Sequence, residues 1–233
     1  MRGFRKAQIL MTGLMVLGIA SGVSAQKQAK IPEGVEELAL GSKAPAFTLP
    51  GTDDKDHSLE SVKGEKGTLV IFTCNHCPYA IAYQDRIIAL TGEYQKKGIG
   101  VVAISSNDAE SYVDDSFPMM KERAKDEGFN FPYLYDETQT VALQYGPMVT
   151  PHVFLFDSTL TLVYRGRIDD NAKAEEVKER DLNAALTALV SGGAIAVNDT
   201  KEFGCSIKWR ADVMKAGKAA LLSKPEKKTE AGS

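Results

Sequence analysis

The chain is poor in the residue types that build metal clusters and disulfide frameworks. Its 233 residues include three cysteines, three histidines and one tryptophan. With no second Cys-x-x-Cys, the usual structural zinc site cannot be completed. Covalent haem attachment is excluded too, because Pro78 rather than histidine follows Cys77. No basic excess exists: 28 Lys and Arg stand against 31 Asp and Glu, which gives no footprint for nucleic acid. Beyond the N-terminal region no run is long and apolar enough to span a bilayer. No internal repeat is visible.

The first residues read as a targeting segment. Arg2, Arg5 and Lys6 give a positive start, Ile9 to Ala20 is an apolar stretch, and Val23-Ser24-Ala25 is a small-x-small cleavage signal. The expectation is a signal peptide over 1–25 and a periplasmic or secreted protein beginning at Gln26. No membrane attachment is expected after cleavage. The alternative is an uncleaved anchor. The remaining length suits one domain with a full core, expected over 26–195, with a C-terminal extension over 196–233 whose last ten residues are polar. Export would place Cys74, Cys77 and Cys205 where disulfides persist. Their odd number leaves one thiol over if the first two pair.

Cys74-Asn75-His76-Cys77 follows the apolar run Gly67 to Thr73 and precedes a helical pattern that opens at Ala80. A thiol at a helix start faces unpaired N–H groups and the positive end of the dipole, and both favour the thiolate. The thiolate is the form that attacks disulfides. The placement therefore points to thiol redox chemistry.

The rest of the chain alternates. Strands are expected at Thr68–Thr73, Val101–Ser105 and Phe131–Tyr135, with helices at Ile81–Lys97, Asn107–Glu127 and Thr138–Tyr145. Pro118 should kink or divide the second helix. His152–Phe156 and Thr161–Tyr164 read as an antiparallel hairpin, followed by a helix over Ala174–Ser191. Asn198–Arg210 breaks the pattern, and Ala211–Leu222 suits a short helix.

This order, with Cys-x-x-Cys at the first long helix, resembles the thioredoxin-like fold over roughly 41–191. The expected class is α/β, a central mixed sheet flanked by helices. Gly41-Ser42-Lys43-Ala44-Pro45-Ala46-Phe47-Thr48-Leu49, the segment Asp108–Tyr145 and the dipeptide Thr150-Pro151 are similar to the alkyl hydroperoxide reductase / thiol-specific antioxidant (redoxin) branch, including its insertion. The resemblance implies a cis-proline at Pro151, which would expose the backbone of Thr150 to an incoming extended chain. It also implies an enzyme, a thiol–disulfide oxidoreductase without a cofactor, that acts on protein thiols or disulfides and has a redox partner. The site residues would be Cys74, Cys77, His76, Thr150 and Pro151. Two departures matter. Ile71 stands where peroxiredoxins carry threonine, and Thr68 where thioredoxin carries a buried acid.

Within this frame Cys74 is expected at the exposed helix tip as nucleophile, with Cys77 one turn inward as the resolving thiol. A protonated His76 would stabilise the thiolate; otherwise it is a solvated loop residue. His152 begins a strand or tunes proton transfer. Cys205 packs near Phe203, Ile207 and Trp209, or resolves a disulfide. Two other functions compete: a peroxide reductase of the same superfamily, and a metal-binding module using Cys74, Cys77 and His76 or His152.

Overall fold

A computed structural model describes residues 30–223. The expected signal peptide and the polar tail from 224 lie outside the described residues. The elements run β1 (Thr48–Pro50), β2 (Asp56–Ser58), α1 (Leu59–Val62), β3 (Gly67–Phe72), α2 (Pro78–Gln95), β4 (Ile99–Ser105), α3 (Phe117–Asp126), β5 (Tyr133–Tyr135), α4 (Thr140–Tyr145), β6 (Val149–Thr150), β7 (His152–Asp157), β8 (Leu162–Gly166), α5 (Asp181–Val190), β9 (Cys205–Ser206) and α6 (Ala211–Leu222). Among the described residues no helix is long and apolar enough to cross a membrane.

The central sheet has the order β5-β4-β3-β7-β8. β3 pairs parallel with β4, which pairs parallel with β5. On its other edge β3 pairs antiparallel with β7, and β7 with β8. Every residue of β3 is buried, which accounts for its unbroken apolar sequence: both faces of a covered strand face protein. The faces alternate. Leu69, Ile71, Val101, Ala103, Val153 and Leu155 join the core built with Tyr83, Ile87 and Tyr94 of α2 and Leu182 and Leu186 of α5. Val70, Phe72, Val102, Ile104, Phe154 and Phe156 join the opposite core, with Phe47 and with Val141 and Tyr145 of α4.

Two expected helices are shorter than their sequence pattern. In 107–127 only Phe117–Asp126 is α-helical, and a 3₁₀ turn occupies Val113–Asp115. Pro118 falls in the first turn, the place where its missing N–H costs nothing, so it starts this helix and does not divide one. Asn107 is no cap; its side chain binds Asp115 and the Lys208 N–H. Likewise α5 begins at Asp181. The Asp170 carboxylate accepts the N–H groups of Lys178 and Glu179, a local capture that competes with helix formation.

Candidate active site

The site lies where β3 ends and α2 begins. The Thr73 N–H donates to Ile104 O at 2.9 Å, the last tie to the sheet. Four residues later Cys77 is the N-cap of α2, with Pro78 in its first turn and its carbonyl accepting the Ile81 N–H at 3.0 Å. The loop between is held by Asp115, which is fully buried. Its carboxylate accepts from the Asn75 N–H at 2.7 Å, the His76 N–H at 3.1 Å, His76 Nδ1 at 2.5 Å and Asn107 Nδ2 at 2.8 Å. Asn75 is fixed further: its Nδ2 donates to Asp114 O and its Oδ1 accepts from the Tyr133 hydroxyl.

The expected placement of Cys74 at an exposed helix tip is corrected. Cys74 is not at the helix tip; Cys77 is. Both are buried, at 4 % and 0 % exposure. Cys74 Sγ lies 3.4 Å from Thr150 Oγ1, and Cys77 Sγ donates to Thr150 O at 3.2 Å. The two sulfurs are coupled, and sharing one proton between them pulls their acidities apart, one below and one above the ordinary thiol range. As the donor to Thr150 O, Cys77 carries that proton, and Cys74 Sγ stands where the Thr150 hydroxyl can donate to it.

His76 belongs to the same loop but is turned to Asp115, and its ring stacks on Tyr112 at 4.9 Å between centroids. It is held by Asp115 and Tyr112 and is not a solvated loop residue. His152 is fully buried and is not in this site. Its Nδ1 accepts the Met148 N–H at 3.2 Å, its Nε2 has no partner, and burial lowers it to about 3. Among the described residues two sets of side chains have donor atoms close enough to share an ion, Cys74 with His76 and Asp115, and Glu37 with His152 and Glu202. The combination of His152 with the cysteines is not formed.

The Thr150–Pro151 peptide bond is cis. Beside it β6 already has a partner: β9 pairs with it antiparallel, Thr150 opposite Cys205 and Val149 opposite Ser206. Cys205 is half-buried and packs with Cys74, Cys77 and Ala80, not within the expected Phe203, Ile207 and Trp209 cluster. Burial, and then Cys77, raise its thiol to about 11. Sequence reasoning missed Asp115, which lies in a polar stretch with no motif. It also missed the position of Cys205, since nothing local in the sequence marks a contact across 128 residues.

The family model "AhpC/TSA family" matches residues 40–165, more than half of the chain. Thiol-disulfide oxidoreductase ResA of Bacillus anthracis is 24 % identical over 148 residues, 62 % of this chain and 76 % of that protein. A putative peroxiredoxin bcp of Coxiella burnetii is 29 % identical over 119 residues, 50 % of this chain and 72 % of that one. The crystal structure of an uncharacterized conserved protein from Geobacillus kaustophilus superposes with a TM-score of 0.71 at 41 % identity, over 74 % of this chain and 93 % of that chain. The mixed sheet with flanking helices is the thioredoxin-like fold, and the chain belongs to the AhpC/TSA family.

Proposed function

We propose that this chain is an exported thiol–disulfide oxidoreductase that exchanges disulfides with protein partners through Cys74 and Cys77. The observation that carries the reading is the pair of cysteines at the start of α2, both sulfurs set against Thr150 beside its cis bond to Pro151. Cys74, as the thiolate, attacks one sulfur of a partner disulfide and releases the other as a thiol. Cys77 then gives up its proton, attacks Cys74 and frees the partner, leaving a Cys74–Cys77 disulfide. In reverse the same steps oxidise a dithiol. Asp115 positions the loop through His76 and the two N–H groups it accepts. Thr150 and Pro151 border the sulfurs, and β9 of the same chain pairs with Val149 and Thr150 as an extended strand. Export rests on the N-terminal pattern of Arg2 to Ala25.

A second reading, peroxide reduction, is favoured by the bcp likeness and opposed by Ile71 at the end of β3, where a hydroxyl would be needed. Equilibrating the chain with glutathione buffers and reading the disulfide by mass spectrometry tests the first. A Cys74–Cys77 disulfide forming in a single two-electron step is expected, and its absence at any poise refutes the assignment. Stopped-flow mixing with hydrogen peroxide should give a rate near that of free cysteine. A far faster rate, with a sulfenic acid on Cys74, would make peroxide the substrate.

A further inference from the structure

The segment from Asn198 to Arg210 is a strap tied at both ends, with the cysteines beneath its middle. At its start the Arg165 N–H donates to Asn198 O at 3.0 Å, the Thr200 N–H to Arg165 O at 3.1 Å, and the Arg167 N–H to Thr200 Oγ1 at 3.0 Å. At its end the Asp108 N–H donates to Lys208 O, the Lys208 N–H to Asn107 Oδ1 and the Arg210 N–H to Gln139 Oε1, each at 2.8 Å. Between these ties the strap lies on β6 as a strand. Gly204 comes so close that a Cβ there would stand 2.2 Å from Thr150 O. Phe203 packs edge-on against Tyr79 at 6.0 Å and against Tyr83 at 6.1 Å, both on α2. This seats Cys205 against Cys77 and the start of α2. Of the three thiols, Cys205 is the one that solvent reaches.

We propose that Cys205 is a third redox-active thiol, held by the strap in the place of a partner's cysteine, and that it carries the disulfide between the buried pair and the surface. The proposal rests on the reading of Cys74 and Cys77 as a dithiol–disulfide couple. In the step itself Cys205 attacks the Cys77 sulfur of the Cys74–Cys77 disulfide. The bond between Cys74 and Cys77 breaks, one between Cys77 and Cys205 forms, and the proton lost by Cys205 ends on Cys74. No electron enters or leaves. A partner thiol then meets the disulfide at Cys205 without entering the core. The geometry also explains how two buried sulfurs exchange with anything as large as a protein.

The test uses the full chain with Cys74→Ser, and Cys74→Ala as a second background, each reduced and then exposed to glutathione disulfide. Cys77 forms a mixed disulfide with glutathione, and Cys205 displaces it. The expected product, after acid quenching and peptide mapping, is an intramolecular Cys77–Cys205 disulfide with no retained glutathione. Adding Gly204→Val, which forces the strap off Thr150, should slow that closure roughly tenfold or more by removing the alignment. A stable glutathione adduct on Cys77 with Cys205 still a free thiol would overturn the proposal. The unsubstituted chain separates the two failures. If it forms Cys74–Cys77 while the variants hold the adduct, the relay alone is wrong. If it forms no Cys74–Cys77 disulfide, the underlying couple is wrong.

Discussion

Asp115 shows how a single carboxylate can organise a redox site without touching a sulfur. It gathers two backbone N–H groups, an imidazole and an amide at full burial, and its charge favours the protonated form of Cys74. Replacing it by alanine strands these donors away from water, the most costly way to lose a hydrogen bond. Asp115→Ala should therefore lose about 3 kcal/mol or more of stability to urea. Asp115→Asn keeps the volume but offers one acceptor oxygen where there were two, and should fall between. Unfolding curves for both decide this; an alanine variant as stable as the parent would show that the loop is held by other means. The sequence gives Asp115 no distinction, because its partners come from the motif loop and from Asn107, two residues past β4, and meet only in the folded chain.

At the level of elements, the parts of the fold legible from sequence were those whose pattern is set locally and then buried. β3, β4 and β7 are continuous apolar runs because both their faces are covered. α2 was legible from its apolar spacing and from Gly98, which has a positive φ just past its end. Asn107–Glu127 and Ala174–Ser191 were overestimated because helical composition continued through residues whose N–H groups are bound by side chains or sit ahead of a proline. The strap was not legible at all. Its 13 residues have no period, since they are shaped by ties to β8 at one end and to the Asn107 and Gln139 side chains at the other. The candidate site divides in the same way. The cysteine pair and Thr150-Pro151 came from local signals, whereas the contact of both sulfurs with Thr150 and the approach of Cys205 arise only in the folded chain.

For the whole molecule, the sheet places one titratable group deep among apolar side chains with a consequence for acid stability. His152 is fully buried at the start of β7, packed on Phe154 at 4.6 Å, and burial lowers it from 6.5 to about 3. The unfolded chain thus binds a proton below pH 6.5 that the folded chain refuses until near pH 3. This contribution is present in full above 6.5 and is lost as the pH falls toward 3. Between pH 7 and pH 5 it amounts to about 2 kcal/mol. Urea unfolding at both values should show this loss in the parent and a correspondingly smaller one in His152→Phe. Identical pH dependence in the two would mean that His152 titrates freely in the fold.

The account as a whole depends on the coupled Cys74–Cys77 pair of the resting reduced protein holding a single proton between its two sulfurs. Ultraviolet thiolate absorbance of the reduced chain, with Cys77→Ser subtracted as the control, measures this directly. The predicted difference is one thiolate that persists well below neutrality. A difference that vanishes near the ordinary thiol value of 9.0 would contradict the shared proton and the chemistry built on it.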